Sequence, residues 1–158
     1  MKTIVVLSDT HGNRDGIGRL YGVFKECDYI IHLGDGALDM SSILEEFPKK
    51  TFVCKGNCDA VGVPREGILE VDGVKIFECH GDAYSVKREY QKLATAAKEQ
   101  GAMLAFFGHT HRAEIVCEDG VTLVNPGSMY YPAMLGGTYA YVTIKDGRAF
   151  PVIVGDIH

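Results

Sequence analysis

The chain has 158 residues and a mass of 17.3 kDa, enough for one domain with a sizeable hydrophobic core that needs no disulfide bonds. Its formal charge is −5 and its pI about 5.6, which disfavours an extended nucleic-acid-binding surface, because such surfaces are usually basic. The 46% apolar and 23% charged fractions exclude a disordered chain, and no apolar run approaches the roughly 20 residues of a membrane helix. We predict a single domain over residues 1–158.

Cysteine usage points to a reducing compartment. The five cysteines stand at positions 27, 54, 58, 79 and 117 and show no paired zinc-ribbon spacing. Most are therefore expected to be reduced thiols, and we predict a cytoplasmic protein.

The first half of the chain alternates short apolar runs with helical patterns. Strands are predicted at residues 3–8, 28–33 and 51–55, with helices around residues 17–24 and 38–47 between them. Strand-helix-strand units imply parallel strands joined by right-handed crossovers. This half is therefore typical of a doubly wound sheet.

The second half favours antiparallel strands. Asp-Gly dipeptides, which type I′ hairpin turns prefer, separate β-rich segments at Asp72-Gly73, Asp119-Gly120 and Asp146-Gly147. Between the first two, a strand at residues 74–79 is followed by a helix with Ser85 as N-cap that ends before Gly101, and by a buried strand at residues 102–107. Together the two halves suggest two packed sheets with helices outside.

Side chains that can bind metals follow five of the predicted strands. They stand beside glycine in Ser8-Asp9-Thr10-His11-Gly12, Gly34-Asp35-Gly36, Gly56-Asn57-Cys58-Asp59, His80-Gly81-Asp82 and Gly108-His109-Thr110-His111. Taken singly, each has a structural explanation, such as a helix cap at Asp9 or a turn residue at Asn57. A structural explanation of all five strand ends would need five independent coincidences. The carboxyl ends of strands are where open α/β sheets bind ligands.

The pairs Asp9/His11 and His109/His111 carry such side chains two residues apart. In an extended stretch, residues i and i+2 point the same way, so the side chains of each pair are expected to converge. Nitrogen and oxygen donors without thiolates suit Mn²⁺, Zn²⁺, Fe²⁺ or Ni²⁺. The candidate ligands are seven, namely Asp9, His11, Asp35, Asn57, His80, His109 and His111. Seven ligands can serve two ions with four contacts each if one carboxylate bridges ions roughly 3.5–4 Å apart. Asp35, after a central strand, is the expected bridge.

The ordered motifs D-x-H, G-D, G-N-x-D, H-G-D and G-H-T-H resemble those of the calcineurin-like metallophosphoesterase superfamily. The chain's small size is similar to that of the compact prokaryotic phosphodiesterases in this superfamily. Asn125-Pro126-Gly127-Ser128 also resembles a turn that these small members carry after the last metal motif. The resemblance covers essentially the whole chain. It implies an α/β fold, namely a four-layer α/β/β/α sandwich of two mixed β-sheets flanked by helices.

The resemblance also implies two divalent ions, with Mn²⁺ as the first expectation. One ion would be held by Asp9, His11, Asp35 and His111, and the other by Asp35, Asn57, His80 and His109. Two such ions lower the pKa of a shared water, so the expected reaction is in-line attack of a bridging hydroxide on a small or nucleotide-like phosphodiester. The residues expected to act in catalysis are Asp35, Asn57, His80 and Cys58.

Cys58 departs from the larger members of the superfamily, which read G-N-H at this point. A thiol with an ordinary pKa near 8.5 is a poorer general acid at neutral pH than an imidazole. The compact phosphodiesterases resemble this chain in having the cysteine, so hydrolysis is still expected while the leaving-group acid stays unassigned. We hypothesise a substrate with a good leaving group, or protonation by another residue. A packed turn residue is the alternative role for Cys58, and Asp59 is expected to support the turn.

Three functions remain open. The first is the phosphodiesterase, and the second is a phosphomonoesterase or pyrophosphohydrolase with the same metals. The third is a non-catalytic scaffold, because a eukaryotic retromer subunit with this fold resembles these enzymes and serves protein interaction. The seven intact ligand positions favour an enzyme acting on a small phosphoester, without a membrane partner and with a homo-oligomer possible. Arg112, Tyr130 and Tyr131 follow the motifs and have either a pocket or a surface role.

Overall fold

The computed structural model describes residues 1–130 and 137–157. Within these ranges the strands are β1 (Lys2–Leu7), β2 (Tyr29–His32), β3 (Thr51–Val53), β4 (Glu66–Val71), β5 (Val74–Cys79), β6 (Leu104–Phe106), β7 (Glu114–Glu118), β8 (Val121–Asn125), β9 (Gly137–Lys145) and β10 (Arg148–Ile157). The helices are α1 (Arg14–Arg19), α2 (Tyr21–Glu26), α3 (Ser41–Glu46) and α4 (Gln91–Glu99), with short 3₁₀ turns at Ala37–Met40 and Asp82–Tyr84.

The strands form two mixed five-stranded sheets. Their order is β10-β9-β1-β2-β3 in sheet A and β4-β5-β6-β8-β7 in sheet B. In sheet A, β1, β2 and β3 are parallel, while β9 pairs antiparallel with β1 and β10. In sheet B, β5, β6 and β8 are parallel, with β4 and β7 antiparallel at the edges. The carboxyl ends of the parallel strands thus lie together at one edge of each sheet.

The period-2 alternation of side chains along β1 explains the layers. Ile4 and Val6 face a core shared with Ile76 and Phe106 of sheet B, so this core lies between the sheets. On the opposite face of sheet A, β1 and β2 residues pack against α1, α2 and α3. The outer face of sheet B packs against α4 in the same way. The structure confirms the predicted four-layer α/β/β/α sandwich.

The Asp-Gly hairpins form as predicted. They join β4 to β5, β7 to β8 and β9 to β10. Both residues of each dipeptide have positive φ, for example 45° at Asp72 and 82° at Gly73, as a type I′ turn requires.

The predicted N-cap at Ser85 is wrong. Ser85 has a φ of 57° in the left-handed region, and residues 85–88 form a turn. Helix α4 begins at Gln91, where the Glu89 carboxylate accepts hydrogen bonds from the backbone amides of Gln91 and Lys92. The apolar spacing that includes Val86 reflects burial of Val86 in the core beneath α4, not helical backbone.

The remaining differences are short. The helical pattern over residues 17–24 is divided at Leu20 into α1 and α2, and the helix around residues 38–47 begins as a 3₁₀ turn. Predicted strands extend one to two residues too far at several ends, where the chain leaves the sheet to carry polar side chains. No helix within the described ranges is long and apolar enough to span a bilayer.

Candidate metal centre

Six of the seven predicted ligands fall into two clusters at the carboxyl ends of β1, β2, β5 and β6. One cluster joins Asp9, His11 and His111, and the other joins Asp35, His80 and His109; in each, the potential ligand atoms lie within 4.8 Å of one another. A further group of the same kind joins His11, Asp35 and Cys58. The structure therefore brings strand ends from both sheets to one place.

One carboxylate oxygen of Asp9 accepts structural hydrogen bonds, and the other points toward the histidines of the site. Its Oδ2 accepts hydrogen bonds from Ser8 Oγ and, at 3.0 Å, from the His109 backbone amide. Its Oδ1 lies 3.2 Å from His111 Nε2 and 3.8 Å from His11 Nε2. The side chain is fully buried, so the carboxylate is held rigidly at the junction of the two sheets.

Asp35 is arranged in the same way and lies between the two clusters. Its Oδ1 accepts a 2.7 Å hydrogen bond from the Cys58 backbone amide. Its Oδ2 lies 3.2 Å from His80 Nε2 and 3.9 Å from His11 Nε2. One oxygen of Asp35 thus faces a histidine from each cluster.

The histidines of sheet B are held with their lone pairs toward the site. Nδ1 of His80 is 2.8 Å from the Leu33 carbonyl oxygen, which can only accept, so Nδ1 carries the proton and Nε2 is free. His109 Nδ1 lies 3.2 Å from Nε2 of His80. Burial, followed by the neighbouring His80 and Lys87, lowers the pKa of His109. A neutral imidazole is the form that binds metals.

The backbone reaches this geometry in a way that the alternation pattern did not predict. Asp9, His11, His109 and His111 are not extended: their φ values are 53°, 42°, 70° and 62°, all in the left-handed region. Asp9 and His11 nevertheless converge in one cluster as predicted, whereas the side chains of His109 and His111 enter different clusters, contrary to the prediction. Asp35 shares the same conformation, with a φ of 57°. Such strained backbone at non-glycine residues is typical of functional sites.

Asp59 ties the loops after β2 and β3 together. Its carboxylate accepts four backbone hydrogen bonds of 2.8–3.0 Å, from the amides of Asp35, Gly36, Ala37 and Gly56. Burial raises the pKa of this carboxyl, but these hydrogen bonds outweigh burial and leave the pKa below its ordinary value. Asp59 therefore has the supporting role predicted for it.

A chain of hydrogen bonds beneath the site passes through His32, which the sequence did not single out. The Gly34 amide donates to His32 Nδ1 at 3.1 Å, so Nε2 carries the proton and donates to Thr10 Oγ1 at 3.0 Å. Thr10 in turn donates to Asp39 Oδ2 at 2.7 Å, which also accepts from the Gly12 amide. Burial lowers the pKa of His32 to about 4, so this imidazole is neutral. The chain fixes the loop that carries Asp9 and His11.

The Asn125-Pro126-Gly127-Ser128 turn holds the loops that carry Asp9 and His109 from the other side of the site. Ser128 Oγ donates to the Asp9 carbonyl at 2.8 Å, and Asn125 Nδ2 donates to the Gly108 carbonyl and to Thr110 Oγ1. The sequence marked this turn only through its resemblance to the family, because nothing in the local pattern places it against Asp9.

Asn57 and Cys58 lie at the exposed rim of the site. The Asn57 amide is 3.5 Å from Cys58 Sγ, and Cys58 Sγ is near His11 and Asp35. Desolvation and the Asp35 carboxylate raise the pKa of the Cys58 thiol, so the thiol is protonated at neutral pH. The ring of Tyr130 stands edge-on to that of His11, with centroids 5.1 Å apart, while Tyr131 lies outside the described residues.

The donor set fits divalent metal ions. Within the described part of the chain, Asp9 Oδ1 and His11 Nε2 are buried atoms without any hydrogen-bond partner, which is costly unless something else satisfies them. Both face into the first cluster, where a cation would be bound by the carboxylate oxygen and the imidazole nitrogen. Two clusters of oxygen and nitrogen donors that meet at Asp35 suit the pair of hard or borderline ions predicted from the sequence.

Curated proteins similar to this chain are named as probable metallophosphoesterases. One from Methanocaldococcus jannaschii is 37% identical over 135 residues, covering 82% of this chain and 69% of that protein. Another, YsnB from Bacillus subtilis, is 31% identical over 150 residues, covering 92% of this chain and 86% of that protein.

Solved structures show the same fold. A predicted phosphoesterase from Streptococcus pneumoniae is 30% identical with a TM-score of 0.84, covering 99% of this chain and 91% of that chain. An archaeal phosphodiesterase and Vps29 from Cryptosporidium parvum, at 20% and 13% identity, both have TM-scores of 0.75 and cover 96–98% of this chain and 97–99% of theirs. The model of the calcineurin-like phosphoesterase superfamily domain matches residues 1–147. The chain therefore belongs to the calcineurin-like phosphoesterase superfamily.

Proposed function

We propose that the protein is a metal-dependent phosphodiesterase that hydrolyses a small or nucleotide-like phosphodiester. The position of Asp35 Oδ2 carries this proposal, because the oxygen lies 3.9 Å from His11 Nε2 and 3.2 Å from His80 Nε2 and so serves both clusters. Asp9, His11 and His111 would hold one ion and His80 and His109 the other, with Asp35 between them. Asn57, at the rim of the site, would complete the second set. Mn²⁺ is the proposed metal, with Zn²⁺, Ni²⁺ and Fe²⁺ as alternatives of similar ligand preference.

Two divalent ions bound there would supply a water of lowered pKa and would neutralise the charge of the phosphate oxygens. The chain's own residues supply the arrangement. The Leu33 carbonyl keeps the His80 proton on Nδ1, so that Nε2 faces the site, and the Cys58 amide orients Asp35. Cys58 itself is not needed as a nucleophile, since its thiol keeps its proton at neutral pH.

An assay with two nitrophenyl substrates tests this function. Protein stripped of metal and refilled with Mn²⁺ is expected to hydrolyse bis(p-nitrophenyl) phosphate faster than p-nitrophenyl phosphate. A preference for the monoester would overturn the diesterase assignment in favour of a phosphomonoesterase. Absence of activity toward both esters, with metal bound, would favour a scaffold of the same fold.

Cys58→His tests which group protonates the leaving oxygen. An imidazole at this rim position is a better general acid near neutral pH than a thiol of raised pKa. We expect turnover of an alkyl phosphodiester, whose leaving group needs a proton, to rise by about tenfold or more, while turnover of an aryl diester changes little. Cys58→Ser, of similar size and without an acid of suitable pKa, is the control. Equal effects of the histidine on both esters would contradict the hypothesis.

A further inference from the structure

A cavity of about 520 Å³ lies beside the candidate metal centre, lined by residues 86–90 and by Thr110, Arg112 and Glu118. We propose that this cavity binds a second phosphate group of the substrate, separate from the diester that is cleaved. The inference rests on the proposed phosphodiesterase function and narrows its substrate class to diesters that also carry a terminal phosphate, such as a phosphorylated nucleotide ester.

The walls of the cavity are continuous with the metal centre. Thr110 stands between His109 and His111 in the chain, and Arg112 follows directly. On the other wall, Val86 packs so closely against Gly81, the residue after His80, that a Cβ on this glycine would lie 3.0 Å from a Val86 methyl group. The cavity thus borders ligands contributed by both β5 and β6.

The charges in the cavity favour an anion. Lys87, Arg88 and Arg112 line it, and none of the three makes an ion pair with any described residue. Glu89 and Glu118 also line it; Glu89 Oε2 accepts hydrogen bonds from two backbone amides at the start of α4, and its Oε1 is a buried atom without a hydrogen-bond partner among the described residues. Three cations against two carboxylates give a positive balance in a protein whose formal charge is −5.

The hydrogen-bonding groups match a phosphate. Guanidinium and ammonium groups only donate, and phosphate oxygens only accept. Thr110 Oγ1 already accepts hydrogen bonds from Asn125 Nδ2 at 2.9 Å and from the Arg112 amide at 3.1 Å, so its own proton is available to donate. A volume of about 520 Å³ lies in the usual range of small-ligand sites and admits a phosphate together with part of the group that carries it.

Two diesters that differ by one phosphate test the proposal. They are thymidine 5′-(p-nitrophenyl phosphate) and its 3′-phosphorylated form, both releasing nitrophenol from the same diester. With Mn²⁺-loaded protein we expect the KM of the phosphorylated compound to be about tenfold lower. The difference between the two KM values should become smaller at high salt, because salt screens the interaction between exposed charges. Equal kcat/KM values for the two compounds would overturn the second-phosphate site while leaving the diesterase function standing.

The variant Arg88→Gln/Arg112→Gln tests whether the cavity causes the preference for the phosphorylated diester. We expect it to bring the ratio of the two kcat/KM values close to 1. Lys145→Gln/Arg148→Gln is the matched control, because it removes two positive charges at the β9–β10 hairpin, at the amino-terminal end of β1 and opposite the metal centre. A ratio lowered equally by both double variants would overturn the assignment.

A binding measurement separates this proposal from the enzymatic one. Inorganic phosphate is titrated into the metal-free 158-residue protein, and binding is followed by phosphorus NMR. We expect the affinity to fall several-fold in Arg88→Gln/Arg112→Gln and to be retained in the hairpin control. If neither diester is hydrolysed, the proposed function fails, and this titration still decides the phosphate site. Equal phosphate binding by the two double variants would overturn it.

Discussion

At the scale of single residues, the two carboxylates of the site divide their oxygens between structure and chemistry. One oxygen of Asp9 is fixed by Ser8 and the His109 amide, and one oxygen of Asp35 by the Cys58 amide. The second oxygen of each is left facing histidines. Because the fixed oxygens cannot rotate away without losing buried hydrogen bonds, the free ones are preorganised for a cation.

Asp35→Asn is expected to abolish diester hydrolysis and to lower bound metal to one ion or fewer per chain. The amide can still accept from the Cys58 amide, but it replaces the anionic oxygen shared by both clusters with a neutral group. Metal content is measured by elemental analysis. Asp146→Asn, in an exposed hairpin, is the control. An active variant with two ions would contradict the bridging role of Asp35.

His32→Gln is expected to make stability less sensitive to acid. The pKa of His32 is about 4 in the folded protein and about 6.5 in the unfolded chain, so the unfolded state binds more protons between these values. The contribution of neutral, buried His32 to the free energy of unfolding is therefore fully present above about pH 6.5 and is lost as the pH falls through 4. Its size is on the order of 3 kcal/mol.

Glutamine keeps an acceptor for the Gly34 amide and a donor for Thr10 but does not ionise. Urea unfolding in the presence of a chelator, at about pH 7 and about pH 4.5, measures the effect. If wild type and His32→Gln lose the same unfolding free energy between the two pH values, His32 is not responsible for the sensitivity to acid.

At the scale of elements, the site depends on loops that cross at close range where strands end. Gly34 follows β2 with a φ of 104°, and a Cβ there would lie 2.4 Å from the backbone nitrogen of Gly56 after β3. Only glycine permits both the backbone conformation and the approach. The loops that carry Asp35 and Asn57 can therefore share the Asp59 carboxylate.

Gly34→Ala is expected to destabilise the protein by more than about 2 kcal/mol and to lower metal affinity. The control is Gly73→Ala in the β4–β5 hairpin, where φ is also positive, at 82°, but nothing lies within 4 Å of a Cβ. This control is expected to cost only the backbone strain, about 1 kcal/mol. Denaturant unfolding measures both variants. Equal losses would show that contact with Gly56 contributes nothing.

At the scale of the whole molecule, the metal centre joins the two sheets. Asp9, His11 and Asp35 follow strands of sheet A, whereas His80, His109 and His111 follow strands of sheet B. The sheets are already connected here by the hydrogen bond from His80 to the Leu33 carbonyl and by that from the His109 amide to Asp9. Bound ions would add ligand bonds across the same boundary.

Metal binding is consequently expected to stabilise the entire fold. Mn²⁺ at about 100 times its Kd should add about 2.7 kcal/mol, which raises the Tm of a domain of this size by roughly 5–10 °C. Calorimetry with and without chelator measures the shift. The shift should be largely lost in Asp35→Asn, and an unchanged wild-type Tm would contradict a site shared between the sheets.

The sequence by itself determined the fold class, the Asp-Gly hairpins and the identity of the residues that meet at the centre. These features follow from local patterns: apolar alternation, turn dipeptides, and polar side chains beside glycine at strand ends. The predicted start of α4 was wrong because Val86 is buried in the core beneath α4, so that it extends the apolar spacing of the helix without being part of it.

The family resemblance already implied how the ligands are divided between two ions, and only the tertiary structure decided what holds them in place. His109 and His111 enter different clusters, whereas Asp9 and His11, which also have positive φ, share one, so it is the packing of the loops around them and not the backbone conformation alone that directs each side chain. His32 and Ser128 support Asp9 from positions 23 and 119 residues away in the chain. Contacts between such distant segments exist only once the sheets are packed, so no local pattern encodes them.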